Sequence, residues 1–134
     1  PFQWDSSKNA GFTTGEPWLK VNENYSHINA RRDCDDYDGV YRYFQQLFAL
    51  RKSMSVFELG TFTLIDPNHP HHFSYLRHYE DQTLLVVCSF SDQPITLDFS
   101  MFQERRCLLS NLPEISLSNQ TTLPPYYAAI YELV

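Results

Sequence analysis

The hydrophobic period of this chain changes twice, and those changes constrain its fold more than any other feature. Residues 1–37 carry few periodic apolar positions and many Asn, Ser, Thr, Gly and Pro. From Asp38 the sequence reads DGVYRYFQQLFALRKS. Val40, Phe44, Leu47 and Phe48 recur at three- and four-residue spacing, with Tyr41, Tyr43 and Leu50 beside them. The spacing predicts one amphipathic helix of about four turns, because a 3.6-residue period gathers those side chains on one face. Asp36 or Asp38 is expected to cap its N-terminus, and Arg51 and Lys52 suit its C-terminal end.

After Ser55 the period becomes two. Phe62 and Leu64, then Phe73, Tyr75, Arg77 and Tyr79, alternate as strands do. Residues 83–90 form a mostly apolar run, which predicts a central strand buried on both faces. Ile95, Leu97 and Phe99, residues 107–109, Leu117, Leu123 and residues 127–133 supply further short strands. Turn formers separate them: Asp66-Pro67-Asn68, Ser91-Asp92-Gln93-Pro94, Asn111-Leu112-Pro113 and Pro124-Pro125. The pattern predicts a mainly β chain, an antiparallel sandwich of Greek-key type, preceded by a long loop and one helix. The expected division is 1–55 and 56–134.

Composition narrows the function classes. Hydrophobic residues make up 43% of the chain, enough for a core and too many for disorder. The net charge of −6 comes without any basic stripe, which speaks against nucleic acid or an anionic membrane as partner. The longest apolar runs, such as Leu84-Leu85-Val86-Val87, are too short to span a bilayer. Cys34, Cys88 and Cys107 are odd in number and irregularly spaced, giving neither a disulfide framework nor a zinc site. Cys88 reads as a small buried hydrophobe. The expected compartment is a reducing cytoplasm.

The first residues carry the specific signal. Pro1-Phe2-Gln3-Trp4-Asp5 is followed by Asn9-Ala10-Gly11-Phe12-Thr13-Thr14-Gly15 and by Pro17-Trp18. The helix ends in Leu50-Arg51-Lys52, and the chain closes on Leu123-Pro124-Pro125-Tyr126-Tyr127-Ala128-Ala129. Together these resemble the α-glucosidase branch of glycoside hydrolase family 13, which includes oligo-1,6-glucosidases, dextran glucosidases and trehalose-6-phosphate hydrolases. Phe2 departs from the Met usual there, and the His-rich loop 69–72 is not a family feature. The resemblance implies that the chain is the tail of a longer enzyme. It would supply the loop after the eighth strand of a (β/α)8 barrel, the last barrel helix, and the C-terminal sandwich.

A retaining glycosidase needs two carboxyl groups flanking the scissile bond. In the resembling family they lie upstream of this segment, so no catalytic residue is assigned to this chain. The missing barrel is then its partner, and an oligosaccharide is the substrate of the whole. Gln3, Trp4 and Asp5 are the candidates for substrate binding, at the rim where barrel loops build active sites. The competing reading makes Trp4, Phe12 and Trp18 anchors of the loop. No cofactor is expected.

Two patterns resemble metal sites, and neither is assigned a metal. His69-Pro70-His71-His72 with His78 reads as a solvent-exposed, proline-broken loop without a carboxylate partner. Asp33 to Gly39 fails as a calcium loop, because Cys34 falls where its first Asp belongs and Gln45 where its Glu belongs. The alternative to an enzyme fragment is a free-standing β-sandwich carbohydrate-binding module. The helix discriminates the two: its apolar face has little purpose on a lone sandwich and predicts self-association of the isolated chain.

Overall fold

The structure is a computed structural model that describes residues 1–134. It divides into two compact units, Pro1–Phe48 and Ala49–Val134, the division falling within the long helix.

In the first unit the chain is irregular up to Asn29 apart from two short turns, Lys8–Gly11 and Glu23–Ser26. The first turn is left-handed. Asn9, Ala10 and Gly11 have φ of 57°, 58° and 66°. Each non-glycine residue there carries a cost of roughly 1–2 kcal/mol. Helix α1, Ala30–Asp35, is a feature that the aperiodic sequence did not predict; it begins at Asn29, whose side chain accepts from the Arg32 N–H at 3.0 Å.

Helix α2, Val40–Ser53, forms where the spacing places it. Its N-terminus is not capped by Asp36 or Asp38. The Asp33 carboxylate, seven residues ahead of the first helical N–H, accepts from Val40 at 3.0 Å and from Tyr41 at 2.9 Å. Asp36 instead accepts from the Asp38 N–H in a local turn. Gly39 permits this arrangement: a Cβ there would lie 2.5 Å from the Asp33 carbonyl oxygen. Every side chain of α2 retains solvent exposure.

The second unit opens with α3, Val56–Leu59, and then is all β. Strands β1 (Thr61–Ile65), β2 (His72–Tyr79), β3 (Gln82–Ser89), β5 (Glu104–Ser110) and β7 (Ala128–Leu133) form one antiparallel sheet in the order β1-β2-β3-β7-β5. Strands β4 (Ile95–Leu97) and β6 (Thr121–Leu123) form a second, two-stranded sheet. The core lies between them. Leu85, Val87, Ala129 and Tyr131 from the larger sheet meet Phe99, Leu123 and Tyr127. β3 is the middle strand, and Leu84 to Val87 are buried on both faces, as their continuous apolar run requires.

Leu117 does not form a strand. Its N–H is taken by the Glu104 carboxylate at 3.0 Å, within an irregular crossing from β5 to β6. Tyr131 donates its hydroxyl to the Ile115 carbonyl at 2.7 Å and pairs with the Tyr127 hydroxyl at 2.8 Å. Burial holds both phenols above their ordinary pKa. The three cysteines are free and half-buried, so Cys88 is less enclosed than its apolar run suggests.

Candidate functional site

The opening loop is fixed by its backbone before its side chains matter. The Trp4 N–H donates to the Ala10 carbonyl at 2.9 Å, so the left-handed turn folds back onto residue 4. Ala10 is fully buried under that return. The carbonyls of Gln3 and Trp4 accept from the N–H groups of Ala30 and Arg31, both at 2.9 Å, which ties the segment to the start of α1.

The three side chains singled out from sequence have different occupations. Gln3 donates from Nε2 to Asn24 Oδ1 at 2.9 Å and to the Ile28 carbonyl at 2.6 Å. It is a strut across the loop. The Asp5 carboxylate accepts from the Ser7 hydroxyl and, at 2.9 Å, from the Ser7 N–H. These bonds, chiefly the hydroxyl's, hold its pKa below the ordinary carboxylate value, with help from the Arg31 charge. Gly11 lies directly behind it: a Cβ would sit 2.8 Å from Asp5 Oδ1.

Trp4 is the side chain left free. The residue is 56% exposed, and Phe2 packs edge-on against its ring with the centroids 4.5 Å apart. Phe12 and Trp18, expected as possible anchors, are exposed as well, Trp18 at 86%. The loop therefore offers aromatic surface on a hydrogen-bonded frame, a combination suited to stacking against an apolar sugar face.

A cleft of about 520 Å³ opens beside this frame, lined by Phe2, Gln3, Ile28, Asn29, Asp33 and neighbouring residues. Its polar residues are largely engaged. Asn29 donates to the Tyr25 carbonyl at 2.8 Å while capping α1, and Asp33 caps α2. Sequence reasoning missed Asn29 and Asp33 as organisers. Asn29 is an N-cap type immediately before α1, a signal that was available; Asp33 acts across seven residues, which no local cap rule anticipates.

Two features of the second unit complete the inventory. Phe62, Phe73 and Tyr75 form an aromatic cluster on the sheet, with Phe62 and Tyr75 centroids 4.9 Å apart and Phe73 and Tyr75 5.4 Å apart. Arg77 lies at their side, donating to the Val56 and Phe57 carbonyls. The histidine loop, read as exposed, is in part enclosed: His72 is buried, and Asp66 supplies the carboxylate that the sequence seemed to lack.

Similarity to known proteins runs the length of the chain. Residues 1–60 match the α-amylase catalytic domain, and residues 62–130 match the maltogenic amylase C-terminal domain. An oligo-1,6-glucosidase from Heyndrickxia coagulans is 43% identical over 133 residues, covering 99% of this chain and 23% of that protein. A trehalose-6-phosphate hydrolase from Bacillus subtilis is 36% identical, covering 99% of this chain and 25% of that protein. Among solved structures, a trehalulose synthase from Pseudomonas mesoacidophila superimposes with a TM-score of 0.91 at 35% identity, over all of this chain and 25% of that one. The chain thus spans about a quarter of the length of the relatives it matches. It belongs to the α-amylase family of glycoside hydrolases and carries a part of that family's catalytic domain followed by its C-terminal β domain.

Proposed function

We propose that this chain is the C-terminal part of a retaining α-glucosidase that hydrolyses α-glucosidic bonds of short oligosaccharides in the cytoplasm. Residues 1–55 complete the catalytic barrel with its last loop and helix, and residues 56–134 form the C-terminal sandwich. The nucleophile and the general acid belong to the upstream barrel, and the chain alone is inactive. The observation that carries this reading is the 43% identity to an oligo-1,6-glucosidase along 99% of the chain. No helix is long and apolar enough to cross a membrane.

Within this reading Trp4 contacts substrate at the active-site rim, while Gln3 and Asp5 hold the loop that presents it. The decisive experiment is hydrolysis of p-nitrophenyl α-glucoside by the 134-residue chain and by the same chain joined to its upstream barrel. Activity is expected in the longer protein alone. Hydrolysis by the short chain would overturn the assignment of the carboxylates upstream. In the longer protein, Trp4→Ala is expected to raise KM about fivefold with kcat little changed, as loss of one stacking contact of ~1 kcal/mol requires. An unchanged KM would make Trp4 a scaffold residue.

The aromatic cluster of Phe62, Phe73 and Tyr75 favours a second reading, a free-standing sandwich that binds carbohydrate. Helix α2 favours the first. Val40, Tyr41, Phe44 and Phe48 are all exposed, an apolar surface that a barrel would cover. The isolated chain is accordingly expected to self-associate through it. A single monomeric boundary in sedimentation velocity at high concentration would argue for the module.

A further inference from the structure

We propose that Asp66, His69 and His72 form a binding site for one divalent transition-metal ion, with zinc as the type ion, in the connection between β1 and β2. This inference is independent of the glucosidase reading. One ligand atom from each of the three residues falls within 4.8 Å of the others. The rings of His69 and His72 are 4.2 Å apart at their centroids.

His72 carries the argument. Its side chain is 3% exposed, yet its Nε2 has no hydrogen-bond partner. Buried polar atoms are paired in folded proteins, so an orphan of this kind calls for an explanation. The other ring nitrogen, Nδ1, is 2.9 Å from the Ser74 hydroxyl. The tautomer in which Nδ1 donates to that hydroxyl leaves Nε2 with a bare lone pair, and the proposed site uses that tautomer. This is how a second layer of residues orients a histidine ligand.

Distances support coordination over a hydrogen bond. His72 Nε2 lies 3.6 Å from Asp66 Oδ2. That is too long for a hydrogen bond. Two donors bound to one tetrahedral zinc at ~2.0–2.1 Å are roughly 3.4 Å apart, close to the spacing here. The backbone preforms the site: Asp66 takes a left-handed conformation with φ 46°, and its carbonyl accepts from the His69 N–H at 3.1 Å. His69 Nδ1 now accepts a long bond of 3.2 Å from the His71 N–H, which coordination at His69 replaces. Two imidazoles and a carboxylate suit zinc and leave its fourth position to water, at the exposed Asp66 side.

The test is calorimetric titration of zinc into the metal-free 134-residue chain, with thermal unfolding measured alongside. One saturable site is expected, and a melting midpoint raised by roughly 10 °C at zinc a hundredfold above Kd. Asp66→Asn and His69→Gln, both at positions with solvent access, should each weaken zinc binding at least about tenfold. Their metal-free midpoints should stay near that of the parent, which separates ligand loss from unfolding. His78→Gln, outside the cluster, should bind zinc as the parent does. Absence of saturable uptake below about 1 mM zinc would overturn the proposal. Uptake that survives both Asp66→Asn and His69→Gln would overturn it equally, placing the ion elsewhere, such as at a cysteine.

Discussion

Leu84, Leu85, Val87, Tyr127 and Tyr131 are wholly shielded from solvent in residues 49–134, whereas residues 1–48 bury only Ala10, Asn29 and Gly39. The two regions hold their shapes by different physics. The sandwich gains about 1.5–3 kcal/mol from each large apolar side chain it encloses. The loop region relies on hydrogen bonds worth about 1 kcal/mol each and opposes them with left-handed strain at Asn9 and Ala10. Polar geometry can specify a conformation closely without making it stable. The difference teaches which region carries the chain's stability by burial, and which holds its shape by polar geometry alone.

The comparison can be broken at its strongest point first. Leu85→Ala removes a fully buried side chain from the middle strand and is expected to cost about 3–4 kcal/mol in the denaturant unfolding of the sandwich. A cost below 1 kcal/mol would mean that the core is not what holds this unit.

Next in size are the paired tyrosines. Tyr131→Phe strands both the Ile115 carbonyl and the Tyr127 hydroxyl, and should cost about 2 kcal/mol. Tyr127→Phe leaves the bond to Ile115 intact and should cost about half as much. Because burial raises both pKa values in the folded state, the folded chain keeps these protons more tightly than the unfolded one. Their contribution is whole below about pH 10 and is lost as pH rises beyond it. Unfolding curves from pH 8 to 11 check this, and Tyr131→Phe should flatten the alkaline decline.

Smaller effects belong to the first unit. Gly11→Ala forces a side chain onto a left-handed residue and against Asp5, with an expected local cost of roughly 1–2 kcal/mol. Asp33→Ala removes the cap of α2 and should cost about 1 kcal/mol, seen as faster hydrogen exchange at the first amides of the helix. Neither should alter exchange in β3 or β7. Smallest of all is Phe44→Ala on the exposed face of α2, expected within about 0.5 kcal/mol when the isolated chain is dilute enough to be monomeric. A large loss there would show that α2 is already covered.

Periodicity exposed what depends on near neighbours. The 3.6-residue spacing from Val40 located α2, and alternation located β1, β2 and β3, because a repeating face is written residue by residue. What depends on distant partners was not legible. β7 pairs with β3 and β5, and no local pattern in Ala128 to Leu133 names those neighbours. Leu117 alternates with polar residues yet gives its N–H to Glu104, so alternation without a strand partner makes no strand. In the opening loop, residue types marked Gln3, Trp4 and Asp5 as notable. Only the fold separates the two that brace the loop from the one left open to solvent. Asp66 passed as a turn former because its relation to His72 exists only after the chain turns back.

The placement of β7 has a consequence for how this unit is made. Of the strands in its sheet it is synthesised last, yet it lies between β3 and β5. Until it emerges, β1, β2 and β3 stand as a meander whose β3 edge is unpaired, and β5 has no partner in that sheet. A chain interrupted before Ala128 loses the middle of the sheet, and with it Ala129 and Tyr131 from the core. Sheet assembly during translation must therefore wait for the final strand. A premature stop even a few residues upstream would leave a product for the cell's proteases, with no shortened version of the domain to fall back on.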